Sequence, residues 1–192
     1  MRYKDQRVGV FVDVQNLYHS AKHLYGARVN FAELLKFIVG GRPLIRAIGY
    51  VVKSDLSAGE GARTEVARFS SSSKSPEATF FEALEKSGIE LRVKDLQIFA
   101  GGQKKADWDV GMAVDAIRMA NSLDVVILVT GDGDFVPLVE YLKWGAGKQV
   151  EAASFGRSTS AKLKEAVDTY VDIEQNPKIL LKSNKYSRTQ HK

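Results

Sequence analysis

The run Val125–Val129 (VVILV) is apolar without interruption and mostly β-branched. A strand with one wet face would alternate polar and apolar residues; a run like this one belongs to a strand buried on both faces, as in a parallel sheet covered by helices. Parallel neighbours cannot be joined by tight hairpins and need long crossovers, usually helical, so the run points the whole chain toward an α/β architecture. It stops at Thr130 and enters Gly131-Asp132-Gly133-Asp134, a turn carrying two carboxylates, after which residues 135–144 follow a helical pattern. Strand, short loop and helix in that order form a βα junction, and open α/β sheets bind ligands at such junctions, outside the carboxyl ends of the strands.

The turn has a structural reading as well. Asp-Gly is ordinary turn chemistry, its glycines allow positive φ and close approach of the backbone to a ligand, and Asp134 is placed to cap the helix that begins at Phe135, with Pro137 in its first turn. The two readings weigh evenly on the turn alone, so the rest of the chain has to separate them.

The same buried-strand pattern opens the chain at 8–14 (VGVFVDV), with Asp13 at the carboxyl end and Gln15-Asn16 following. Asp13 is expected on the same sheet edge as the Gly131 turn; the alternative is that Asp13 or Asn16 caps a helix over 17–25. A helix over Phe31–Val39 is bounded by Asn30 and Gly40-Gly41, and a strand over 45–52 comes next. Residues 53–75 form a polar excursion rich in glycine and serine, with room for a short helix at 65–69. Then come a helix at 76–87 with Ser75 as N-cap and Pro76 at its first position, a strand at 90–98, and a basic, glycine-containing link at 101–105. Beyond the central strand and its helix, a strand at 149–154, a helix at 159–167 and a short strand at 168–173 are expected. This alternation predicts a three-layer α/β/α sandwich with a mostly parallel central sheet of five or six strands.

Residues 107–121 (DWDVGMAVDAIRMAN) should be helical, and at about 100° per residue Asp109 shares a face with Met112, Ala113, Ala116 and Ala120. An unpaired charge in an apolar stripe is costly, so Asp109 needs a cation, a donor or a water-filled cleft. Asp115 falls on the shoulder of that stripe, where an ion pair is the alternative, and Asp107 reads most simply as the N-cap.

Asp13, Asp109, Asp132 and Asp134 come from a strand end, a helix start and a βα turn, which a parallel sheet can gather at one edge. Two carboxylates about 5 Å apart repel by roughly 3 kcal/mol at an effective dielectric of 20. A divalent cation reverses that sign. With no cysteine and three scattered histidines, a disulfide framework and thiolate chemistry are excluded and zinc is disfavoured. An all-oxygen ligand set selects Mg²⁺ or Mn²⁺, which activates water and stabilises charge at phosphorus during phosphodiester hydrolysis.

Charge is unevenly distributed along the chain. The net charge of +5 comes from residues 176–192, where Lys178, Lys182, Lys185, Arg188 and Lys192 meet no acid; without these five the basic residues fall from 28 to 23, equal to the acidic ones. The tail is expected to be loosely ordered at its end and to contact nucleic acid or stay solvated, although Ile179-Leu180-Leu181 could dock. No apolar run is long enough to span a membrane, and MRYKDQRV has no charged-then-apolar leader pattern, so a cytoplasmic protein is expected.

Three blocks, VFVDVQN, KKADWDVGMAVDA and VILVTGDGDFVPLVEYLKWG, in this order and spacing, resemble the signature blocks of the NYN domain family in its bacterial LabA-like branch. The resemblance spans about residues 8–173. It implies a PIN-like, Rossmann-like fold and a metal-dependent ribonuclease. Asp13 matches the family's first-strand acid and Asn16 the following Asn; Lys105 precedes the central Asp109, with Asp115 six residues on; Asp132 and Asp134 match the turn pair, and Ser160 and Asp168 the late Ser and Asp. Asp107 and the 53–75 excursion depart from the pattern.

The resulting expectation is one NYN/PIN-like nuclease domain over residues 1–175 and a basic tail over 176–192. The protein would be a Mg²⁺- or Mn²⁺-dependent endoribonuclease with Asp13, Asp109, Asp132 and Asp134 as catalytic metal ligands and Asp107 and Asp115 as additional acids. Asn16, Lys104, Lys105 and Ser160 would contact RNA, single-stranded or structured; no membrane partner is expected, and a homodimer is left open. The alternative is a non-catalytic RNA-binding or regulatory module on the same fold. A dinucleotide-dependent oxidoreductase is disfavoured because no G-x-G-x-x-G follows the first strand, and an Asp13 phosphotransferase because the residue two positions on is Gln15.

Overall fold

The strand that opens the chain, β1 (Val8–Asp13), runs through the middle of a six-stranded sheet. Residues 3–53, 75–95, 97–98, 104–105 and 107–182 are described by the structure, a computed structural model. After β1 the chain forms α1 (Val14–Tyr25), the short β2 (Ala27–Val29), α2 (Phe31–Val39), β3 (Leu44–Lys53), α3 (Pro76–Lys86) and β4 (Glu90–Asp95). Two-residue strands β5 (Gln97–Ile98) and β6 (Lys104–Lys105) precede α4 (Asp109–Met119) and β7 (Val125–Val129). The last part holds α5 (Val136–Glu140), β8 (Gln149–Ser154), α6 (Ala161–Ala166), β9 (Thr169–Asp172) and β10 (Leu180–Lys182).

The sheet order is β4-β3-β1-β7-β8-β9, with every neighbouring pair parallel. Side chains alternate across it as the pleat requires. Val8, Val10 and Val12 enter one core with Leu17 of α1, Leu34 and Ile38 of α2 and Leu84 of α3. Phe11 enters the other with Met112 of α4, Leu138 of α5 and Leu163 of α6. Helices thus cover both faces, and β7, buried at all five positions, is the dry central strand that its sequence requires. No helix among the described residues is long and apolar enough to cross a membrane.

Local signals set most boundaries. Asn30 accepts the Glu33 N–H at 3.3 Å and Ser75 the Ala78 N–H at 3.1 Å, so both helices start at their N-caps, with Pro76 at the first position of α3. Gly40, at φ 61°, closes α2 in the left-handed conformation that a side chain resists.

Several expectations are corrected. Residues 90–98 are two strands in different sheets: β4 ends at Asp95, while β5 pairs antiparallel with β6, so Lys104 and Lys105 lie in a strand. The helix over 135–144 starts as a 3-10 turn, Gly133–Phe135, and ends in a π turn, Tyr141–Gly145. α1 begins earlier than expected, capped by Asp13 and not by Asn16. The docking that Ile179-Leu180-Leu181 allowed does occur: Ile179 is fully buried, its carbonyl accepts the Asn30 N–H at 2.8 Å, and β10 pairs antiparallel with β2. The excursion at 54–74 with its short helix, residues 99–103, and residues 183–192 lie outside the described residues.

One polar link crosses the apolar interior. Arg42, 2 % exposed in its side chain, makes a bidentate pair with the fully buried Glu151 at 2.9 and 3.1 Å. The same guanidinium donates to the carbonyls of Ile38 and Val39, satisfying the end of α2. Sheet and helix are joined there by charge-assisted bonds that occupy four of the guanidinium's N–H donors.

Candidate functional site

From β1 the chain adds β3 and β4 outward on one side; from β7 it adds β8 and β9 outward on the other. The direction of winding therefore reverses between β1 and β7, and at their carboxyl ends the two departing connections leave a crevice, the usual ligand position in such sheets. Asp13 ends β1 at this crevice and residues 130–134 leave β7 beside it.

A chain of hydrogen bonds ties the two strand ends together. Asp13 Oδ1 accepts the Asn16 N–H at 3.0 Å, and Thr130 Oγ1 donates to Asp13 Oδ2 at 3.4 Å. Thr130 Oγ1 in turn accepts the Asp132 N–H at 3.2 Å, and Asp132 Oδ1 accepts the Asp134 N–H at 2.9 Å. Asn16 Oδ1 reaches across to the Gly131 N–H at 3.1 Å. Neither glycine of the turn has positive φ, which corrects the first expected reason for them. What they allow is close approach within the chain: a Cβ on Gly131 would lie 2.7 Å from the Ser158 carbonyl oxygen, and one on Gly133 2.7 Å from Ser160 Oγ.

Asp109 arrives from the opposite helix layer. The stripe beneath it is buried at Met112, Ala116 and Ala120, as its helical spacing requires. Trp108, not Asp107, occupies the N-cap position and makes no side-chain cap bond. It fixes the start of α4 differently, donating from Nε1 to the Val51 carbonyl at 2.9 Å and packing its ring 5.5 Å from that of Tyr50.

The electrostatics mark these carboxylates as one group. Burial pushes the Asp13 carboxyl up to about 6, aided by the charges of Asp109 and Asp132 and opposed by the Asn16 N–H and the Thr130 hydroxyl. Asp109 is raised by burial first, then by Asp107, Asp132 and Asp134. Three segments far apart in the chain thus place mutually repelling acids around one crevice. Among the described residues, no three acidic or histidine side chains already stand close enough to hold a metal ion between them.

The NYN domain profile matches residues 7–174. The chain belongs to the NYN domain family. It is 23 % identical over 182 residues to the low amplitude and bright protein LabA of Synechococcus elongatus, covering 90 % of this chain and 87 % of that protein. It is also similar to the crystal structure of a protein of unknown function from Vibrio parahaemolyticus. There the identity is 28 % with a TM-score of 0.76, over 94 % of this chain and 99 % of that one. The parallel six-stranded sheet between helix layers is consistent with a PIN-like fold.

Within this NYN domain the other residues singled out by sequence separate into two sets. Asn16, Asp132, Asp134 and Ser160 surround the crevice with Asp13 and Asp109; Ser160 donates its N–H to the Gly131 carbonyl at 2.9 Å. Asp132 caps the turn, a role expected of Asp134, whose side chain is exposed. Asp107 is exposed, and its carbonyl accepts from Lys94 Nζ at 3.3 Å. Asp115 stands in an ion pair, 3.5 Å from Arg92 Nε, and accepts the Tyr50 hydroxyl at 3.1 Å. Burial and then Asp115 push that tyrosine well above its ordinary value. Asp168 is at the opposite, amino edge of the sheet, accepting the Val150 N–H at 2.8 Å and pairing with Lys143 at 3.1 Å. The backbone of Lys104 and Lys105 forms β6, while their side chains lie outside the described residues.

Sequence reasoning missed Thr130 and Trp108. Thr130 had a signal, as the one polar residue closing an unbroken apolar strand, and the structure buries it completely between Asp13 and Asp132. Trp108 offered none, because its partner Val51 lies 57 positions away.

Proposed function

We propose that the protein is a cytoplasmic Mg²⁺- or Mn²⁺-dependent endoribonuclease that cleaves RNA in the crevice between β1 and β7. The observation that carries this is the convergence of Asp13, Asp109 and Asp132 at the winding reversal of an NYN domain, where burial first and then the charges of Asp109 and Asp132 push the Asp13 carboxyl up to about 6. Buried carboxylates that raise one another's proton affinity are the donor set a hard divalent cation relieves, so the residues fit the cation that the family implies. Asp13, Asp109, Asp132 and Asp134 would hold it. When bound, such an ion supplies an activated water and positive charge for the phosphoryl group.

The chain's own groups have separable tasks. Asp13 must shed its proton to become a ligand, and the Asn16 N–H and Thr130 hydroxyl, both bonded to its oxygens, favour the ionised form. Asn16 and Ser160 hold the Gly131 turn from its two sides, fixing the orientation of Asp132. Lys104, Lys105 and the Ser160 hydroxyl would contact substrate phosphates.

A non-catalytic RNA-binding module is the second reading, favoured by the looseness of the acidic group among the described residues. End-labelled single-stranded RNA incubated with the protein in Mn²⁺ separates the two. Cleavage that is lost with chelator and lost in Asp132→Asn supports the enzyme. Retention of RNA without cleavage supports the module, and cleavage unchanged in Asp132→Asn removes Asp132 from the mechanism.

A further inference from the structure

The amino edge of the sheet, opposite the crevice, carries a surface that neither the cleavage site nor the fold accounts for. Trp144 is 83 % exposed, the most exposed large hydrophobic side chain among the described residues. An indole is among the largest apolar groups a chain can bury, so leaving one in water needs a reason. Trp144 stands in the π turn at Tyr141–Gly145, closed by the Ala146 N–H on the Tyr141 carbonyl at 3.0 Å. Such turns are uncommon and recur at functional positions.

Beside it opens a groove of about 490 Å³ that Trp144 lines together with Tyr3, Lys143 and Lys148. Gln149 and Thr169, at the starts of β8 and β9, line it too, as does Asp168, the one acid of the groove; none of the lining residues is aliphatic. A protein-binding hot spot would be packed round with apolar side chains; two rings with two amines, the one acid Asp168 being paired with Lys143, instead match a nucleobase with its adjoining phosphate. Lys143 is engaged with Asp168 at 3.1 Å and the Ala166 carbonyl at 2.7 Å, with its ammonium 5.6 Å from the Trp144 ring. Lys148, whose charge also reaches Asp124, is the lining cation not paired with Asp168 and the one placed for a phosphate.

We propose that this groove is an anchoring site for single-stranded RNA, in which a base stacks on Trp144 and the neighbouring phosphate pairs with Lys148. The choice of RNA rests on the ribonuclease reading above. The six residues of β8 separate the groove from the crevice edge by roughly 20 Å, so one strand of several nucleotides can occupy both. Anchoring there makes the second contact intramolecular and favours longer substrates over short ones.

Tryptophan emission tests this directly. The chain has two tryptophans, and Trp108 is partly buried with its N–H bonded to Val51. In chelator, so that no cleavage occurs, oligoadenylate long enough to span both sites is expected to quench wild-type emission and to leave that of Trp144→Phe unchanged. Trp144→Ala and Lys148→Glu should each weaken oligoadenylate binding about tenfold, measured by anisotropy of the labelled strand. The proposal is overturned if quenching is absent or persists in Trp144→Phe. It is also overturned if adenosine monophosphate quenches as well as the oligomer at equal concentration, which would make the groove a free-nucleotide site. A blue shift that grows with protein concentration without RNA would likewise overturn it, by showing a second copy on Trp144. Quenching by a protein that cleaves nothing in Mn²⁺ would defeat the enzyme reading alone; cleavage without quenching would defeat the groove alone.

Discussion

Asn16 Oδ1 accepts the backbone N–H of Gly131 at 3.1 Å, so the first turn of α1 holds the loop that leaves β7. Gly131 is buried, so removing that acceptor takes away the side-chain partner of its N–H. Asn16→Ala should therefore cost about 1–3 kcal/mol, the range for a buried donor left unpaired. Urea denaturation reads that loss. Cleavage in Mn²⁺ should fall at least tenfold at a temperature where the variant is still folded, because Asp132 loses its fixed turn. Unchanged stability would show that the Asn16 bond is not made in solution.

Asp13 predicts an inverted pH dependence for the metal-free protein. Its carboxyl is raised from 3.8 to about 6, so the folded state binds a proton more readily than the unfolded chain. The contribution of this group is fully present below about pH 4 and is lost as pH rises through about 6, a change of about 3 kcal/mol. Melting temperature in chelator should thus decline across this window, against the usual acid-destabilised trend of carboxylates. Asp13→Asn, which still caps α1, should remove the slope and be more stable than wild type at neutral pH. Mn²⁺ should restore wild-type stability above pH 6 and do little below it; parallel pH profiles for the two proteins would refute the assignment.

The Arg42 and Glu151 pair offers a test independent of function. Removing one partner, as in Glu151→Gln or Arg42→Met, leaves a buried charge with poor compensation and should cost about 3–5 kcal/mol. The double replacement Arg42→Met with Glu151→Leu should recover much of that loss, since neither charge then needs solvation. A double-mutant cycle by denaturant unfolding measures the coupling, and additive losses would mean that the two side chains do not act as a unit.

Two truncations divide the C-terminal stretch. Deleting 177–192 removes the fully buried Ile179 and strand β10, and should lower stability by about 2–5 kcal/mol, as for large core deletions. Deleting only 183–192 keeps both and removes Lys185, Arg188 and Lys192. At about −0.7 per phosphate neutralised, the slope of log K against log salt for single-stranded RNA should then flatten by about 2 if all three bind phosphate. An unchanged slope in the folded, shorter deletion assigns phosphate binding to the body of the protein.

By itself, the sequence determined whatever depends on neighbours a few positions apart. Apolar runs rich in valine and isoleucine named β1 and β7, the caps Asn30 and Ser75 marked where helices start, and helical spacing put Asp109 above Met112, Ala116 and Ala120. The tertiary structure alone decided which strands are neighbours. Val8–Asp13 and Val125–Val129 are adjacent, so Asp13 meets Thr130, but any two dry parallel strands look alike in sequence and their order is a matter of packing. The same limit hid Arg42 against Glu151, 109 positions apart, Trp108 on the Val51 carbonyl, and β2 on β10. At shorter range the cap was misplaced from Asp132 to Asp134, because both are good caps and the choice turned on the Thr130 hydroxyl holding the Asp132 backbone. Local chemistry offers each segment a short list of states; contacts between distant segments select among them by burying apolar surface and pairing the polar groups that remain.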